Sequence, residues 1–126
     1  MATLRIDPAD DTPLVILDRE AGTFEISGKS MPEDVIKFYQ PVLDWLETYQ
    51  SDPLDRTVFD FKLIYFNTAS SKLILDLLMI LEEIQSSGHE VLVKWHSVVN
   101  DEDMQEAGEE YEEMTELTFE HLTYEM

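Results

Sequence analysis

Thr57 to Phe66 reads TVFDFKLIYF, ten residues in which Asp60 and Lys62 are the only charges. A run this apolar is too greasy for a sheet wetted on one side. It predicts a central strand covered on both faces. Whatever this chain folds into must bury that strand, and the flanking segments have the pattern to do it. Before it, Val35, Phe38, Tyr39, Val42, Leu43 and Leu46 recur at helical spacing. After it, Lys72 to Ile84 forms a second helical pattern that stops at Ser86-Ser87-Gly88. A strand held between two helices is the core of an α/β fold.

The rest of the chain extends the alternation. Leu14 to Leu17 and Thr23 to Ser27, separated by the turn residues Asp18 to Gly22, predict a β-hairpin. Ser30 and Met31 lead into Pro32-Glu33-Asp34, a start signal with proline at the first helical position. Pro41 then falls inside the first helix and predicts a kink or break. Val91 to His96 predicts another strand, and Met104, Ala107, Tyr111 and Met114 give a third amphipathic helix over Asp101 to Thr115. Leu117-Thr118-Phe119 with Leu122 fits a last strand or a short helix. The expected architecture is a single STAS-like domain spanning residues 1–126. It has a mixed sheet of about four to five strands packed with about three to four helices, joined by right-handed crossovers. Residues 1–12 are polar and are expected to be a loosely held lead-in.

Composition excludes several kinds of function. Eight Lys and Arg against 28 Asp and Glu give a net charge of −20. That field repels phosphate backbones and anionic lipid, so neither nucleic acid nor membrane is an expected partner. With no cysteine, thiol catalysis, disulfides and Cys-ligated zinc are out of reach. With no long apolar span or signal-peptide pattern at the N-terminus, a cytoplasmic protein is expected.

Catalytic signatures are missing too. His89, His96 and His121 stand in no metal-ligand spacing, and no glycine-rich phosphate loop or nucleophile elbow occurs. The acidic stretch from Asp101 resembles a calcium loop only superficially, because Glu106 occupies the turn position that needs glycine. Nine acids among the sixteen residues Asp101 to Glu116 read as a solvated helix face, or as a surface for a basic partner. Asp60 and His96 are the residues an acid/base enzyme would use, without a nucleophile to complete them. No enzyme and no cofactor are expected.

The segment Asn67-Thr68-Ala69-Ser70-Ser71-Lys72 joins the apolar strand to the second helix, where α/β folds expose functional groups. Its residue types fit a plain helix cap at Asn67 or Thr68, with Ser70 and Ser71 as filler. They also fit, as the lesser reading from residue types alone, a hydroxyl whose phosphorylation would place negative charge at the positive end of a helix dipole. One turn on, Leu75 and Met79 lie on the polar side of the helix with Lys72 and Asp76. Either a neighbouring element covers them, or they form a docking stripe.

In order and spacing these residues resemble the SiaC family of regulatory phosphoproteins, a STAS-like bacterial group. The resemblance is carried by Thr12-Pro13, Gly28 to Ser30, Pro32-Glu33, Asp60 to Tyr65, Asn67-Thr68, Lys72, Asp76 and Lys94-Trp95-His96. It implies a partner switch. A serine/threonine kinase phosphorylates the threonine of the Asn-Thr pair, here Thr68, and a PP2C-type phosphatase removes the phosphate. The unmodified form binds and activates a diguanylate cyclase, which ties the switch to cyclic-di-GMP and biofilm or aggregation. Partner binding is then expected at Lys72, Leu75, Asp76 and Met79. Ala69 stands where the family commonly has serine, and Asp34 where it has asparagine.

Overall fold

The computed structural model describes residues 1–126. Six strands form one sheet in the order of the chain: β1 (Leu4–Ile6), β2 (Leu14–Asp18), β3 (Thr23–Ser30), β4 (Arg56–Phe66), β5 (Glu90–Val98) and β6 (Thr118–Tyr124). The first three strands pair antiparallel, and β3 to β6 pair parallel. Each parallel connection carries one helix: α1 (Val35–Gln50), α2 (Thr68–Ser86) and α3 (Glu102–Met114).

When parallel neighbours follow chain order, right-handed crossovers put every helix on the same face. The contacts agree. Phe24 of β3 packs its ring on Trp45 and Tyr49 of α1, and Ser30 of β3 bonds Ser70 of α2. Trp95 of β5 donates its indole N–H to the Met104 carbonyl of α3. Thr57, Phe59, Phe61 and Leu63 of β4 point into this helical layer and are buried. Val58, Asp60 and Ile64, which alternate with them, are half-exposed, and Lys62 is exposed.

The expected two-sided cover of β4 is therefore corrected: it is a central strand with one open face. Asp60 and Lys62 were the period-two signal for that face. Other expectations shift as well. The sheet has six strands, because β1 pairs with β2 inside the stretch read as a loose lead-in. Trp45 holds that end through an indole bond of 2.8 Å to the Ala2 carbonyl. The C-terminal segment is a strand, parallel to β5. Asp34, not Pro32, opens α1: its carboxylate caps the Lys37 N–H. The helix runs through Pro41 without a break. Pro41 is exposed there, so the carbonyl it leaves unpaired can face water.

Candidate functional site

Gly28, at φ 108°, takes a backbone conformation that side chains avoid, just where the β3–β4 register shifts. The shift sets Ser30 beside Phe66, at the handover from β4 to α2. Asn67 follows, and three of its four polar groups are used. Its N–H donates to the Ser30 carbonyl (3.1 Å), its Oδ1 accepts from the Ser70 N–H (2.8 Å), and its carbonyl accepts from the Ser71 N–H (3.1 Å). Asn67 is thus the N-cap, and α2 begins at Thr68, four residues before the apolar periodicity starts at Lys72. Asn67→Ala is expected to lower stability by about 1 kcal/mol in a denaturant titration.

The serines of the loop are committed elsewhere. Ser70 is fully buried and donates to the Ser30 carbonyl, while Ser30 Oγ donates to Ser70 Oγ, each at 2.9 Å. With the Ser30 proton engaged, Tyr39 OH of α1 donates to Ser30 Oγ. Ser71 Oγ donates to the Thr68 carbonyl at 2.6 Å. Thr68 and Ala69 are exposed. Thr68 is left as the hydroxyl of this loop that faces solvent without an intramolecular bond.

Burial pushes the Tyr39 phenol up to about 12, partly offset by its bond to Ser30. Tyr111, whose OH donates to the Ser71 carbonyl, is raised further by burial and then by its neighbours Tyr39 and Glu110. A folded-state value above the unfolded one means stability that is whole below pH ~10 and lost as pH rises from there. Denaturant titrations should register Tyr39 alone as a loss of about 2 kcal/mol between pH 9 and 12.

Beyond the loop, Lys72 is exposed and belongs to none of the ion pairs in the protein. Leu75 and Met79, paired in the sequence reading, part company. Met79 is 49% exposed, whereas Leu75 is half-buried against the core. Asp76 is exposed beside them. A groove of about 200 Å³ opens between α2 and α3, with Phe66, Leu75, Ala107, Tyr111 and Met114 in its walls and Lys72 at its rim. The periodicity of α3 contained Ala107, Tyr111 and Met114, but no pattern in the chain says that they meet α2.

Asp60 and His96 do come together, with Nε2 to Oδ1 at 2.8 Å. They lie on the open face of the sheet, across it from Thr68. The neighbouring register partners of Asp60 are Glu25 and Lys94, neither of them a hydroxyl or thiol nucleophile. No helix is long and apolar enough to cross a membrane.

The SiaC family of regulatory phosphoproteins matches residues 6–124. The chain belongs to the SiaC family. A Pseudomonas aeruginosa protein described as uncharacterised is 33% identical over 119 residues, 94% of each chain. SiaC of Pseudomonas aeruginosa has the same fold, with a TM-score of 0.90 at 31% identity over 98% of this chain and all of that one. A crystal structure holds the diguanylate cyclase SiaD in complex with its activator SiaC from Pseudomonas aeruginosa. It matches with a TM-score of 0.90 at 31% identity, covering 96% of this chain and 99% of that one. Membership of the SiaC family agrees with the STAS-like α/β architecture expected from the alternation of elements, with more strands.

Proposed function

We propose that this chain is a non-enzymatic partner switch. Reversible phosphorylation of Thr68 controls its binding to, and activation of, a diguanylate cyclase. A serine/threonine kinase adds the phosphate: Thr68 Oγ takes the terminal phosphoryl group of a nucleoside triphosphate, the diphosphate leaves, and the hydroxyl proton passes to the kinase. A PP2C-type phosphatase hydrolyses the ester. The setting is the cytoplasm, and the output is cyclic-di-GMP and biofilm or aggregation behaviour. The docking surface comprises Lys72, Leu75, Asp76 and Met79.

One observation carries the reading. Of the hydroxyls that open α2, Ser70 is sealed in the core and Ser71 is bonded to the backbone, while Thr68 is free and exposed. The loop therefore presents one acceptor, at a helix end that favours negative charge. No acid occupies the first turn of α2 to oppose it. The SiaC–SiaD complex supports a cyclase as the partner class.

The test is mass spectrometry of the protein isolated from its native host. A phosphate on the peptide covering residues 67–72, located at Thr68 and missing from Thr68→Val, is the expected result. A peptide never modified under biofilm-forming or planktonic growth overturns the switch.

A further inference from the structure

The sheet leaves one whole face open, although parallel strands such as β3 to β6 almost always have both faces covered. All three helices pack on the other face. On the open one, Ile16, Val58, Ile64, Leu92, Val98 and Leu122 are only half-buried. At ~3.3 Å per residue and ~4.8 Å between strands, the six strands cover roughly 650 Å². Stable interfaces begin at about 600 Å² per partner.

Charge sets this face apart. Its cations are Arg5, Lys29, Arg56, Lys62 and Lys94, five of the eight in the chain. Its anions are Asp18, Glu25, Asp60, Glu90 and Glu120. The face is neutral, and the whole net charge of −20 lies elsewhere on the molecule. Self-association through any other surface presses acid on acid, whereas this one is matched by its own copy.

The strand β4 fixes how the copies meet. Val58, Asp60, Lys62 and Ile64 point outward from it, in the order apolar, acid, base, apolar. Reversed, that order is its own complement. A two-fold axis crossing β4 between Asp60 and Lys62 sets each Asp60 against Lys62 of the other copy, and each Val58 against Ile64. Leu92 and Val98 of β5 pair in the same way. Lys62 is available for this, because it belongs to no ion pair of its own chain and its ammonium lies 4.7 Å from the centre of the Tyr124 ring. Asp60 is held in place by its 2.8 Å bond to His96.

We infer that the open face receives a second copy of this chain, sheet against sheet about a two-fold axis through the middle of β4. The inference goes beyond the switch reading and stands without it. Thr68 lies across the sheet from this face, so the dimer leaves one exposed on each outer side.

Sedimentation equilibrium tests it at ~0.3 M salt, where a Debye length between roughly 3 and 8 Å screens the outer acids. Wild type should be mainly dimeric at ~0.1 mM. Asp60→Lys sets lysine against lysine across the axis, and Lys62→Asp sets aspartate against aspartate. Each alone should dimerise at least ~tenfold more weakly. Mixed in equal amounts, the two variants regain both pairings, and a heterodimer of about wild-type affinity should form. Mixing does not repair a folding defect. Lys62→Asp and Leu92→Glu leave both members of the Asp60–His96 bond in place, so they keep the test decisive should Asp60→Lys not fold. Leu92→Glu should be monomeric with an unchanged circular dichroism spectrum. Amide shifts that change on dilution of labelled wild type should map to β4 and β5. A wild type monomeric to ~1 mM overturns the dimer. So do single variants that associate as wild type does, a mixture that stays monomeric, or dilution shifts confined to the helices.

Discussion

Replacing Thr68 with aspartate is expected to weaken binding of the diguanylate cyclase about a hundredfold. The side chain sits on N1 of α2, exposed and without a hydrogen bond, one helical turn before the unpaired Lys72. In the free protein a negative charge there costs nothing and slightly favours the helix dipole. If Thr68 docks as proposed, the same charge in the complex is stripped of water against a surface fitted to a neutral hydroxyl. A badly matched buried charge costs a few kcal/mol, and ~2.7 kcal/mol is a factor of one hundred in affinity. The melting temperature of Thr68→Asp should therefore equal or slightly exceed that of wild type, which separates lost docking from lost folding. Titration calorimetry against the purified cyclase reads the effect, with Thr68→Val as the neutral control expected to bind within about threefold of wild type. An aspartate variant with wild-type affinity removes the electrostatic mechanism.

The second large effect concerns the joint that holds α3 in place. Trp95 is buried, stacks on Phe61, meets the rings of Phe66, Tyr111 and Phe119, and bonds the Met104 carbonyl at 2.9 Å. Trp95→Ala should cost about 3–5 kcal/mol, the usual range for emptying a large aromatic site. Gly108→Ala is the sharper test, because two principles oppose each other. Helix propensity alone credits alanine with about 1 kcal/mol over glycine inside a helix. A Cβ on Gly108, however, would overlap the Trp95 ring, and the ring is walled in by its neighbours. Overpacking of that kind costs about 1–3 kcal/mol, so the net change should be destabilising. Denaturant titration of both variants decides it; a Gly108→Ala protein more stable than wild type would mean that α3 can lift from β5.

Much of the fold was legible because short-range patterning carries it. The β2–β3 hairpin, the helix ahead of β4 and the strand at Val91 all announced themselves by period and punctuation. The open face of β4 was signalled at period two by Asp60 and Lys62, and the apolar residues around them outweighed that signal. The pairing of β1, and the choice of strand over helix for the last segment, depend on which strand lies alongside, and residue order does not encode that locally. At the site, the Asn67 cap was readable from residue type. The separation of three neighbouring hydroxyls into one sealed, one bonded and one free was not. That outcome depends on Ser30, forty residues from Ser70 in the chain, reaching it through the sheet.

The amino-acid order alone determined an acidic, cysteine-free α/β domain and a cap-forming loop after its most apolar strand. Period, charge and turn chemistry act over a few residues, and a single chain displays them without folding. Tertiary structure decided the rest: the groove between α2 and α3, and the freedom of Thr68. Those properties belong to surfaces that exist only after remote segments meet, because exposure and electrostatic fit are relations among neighbours in space.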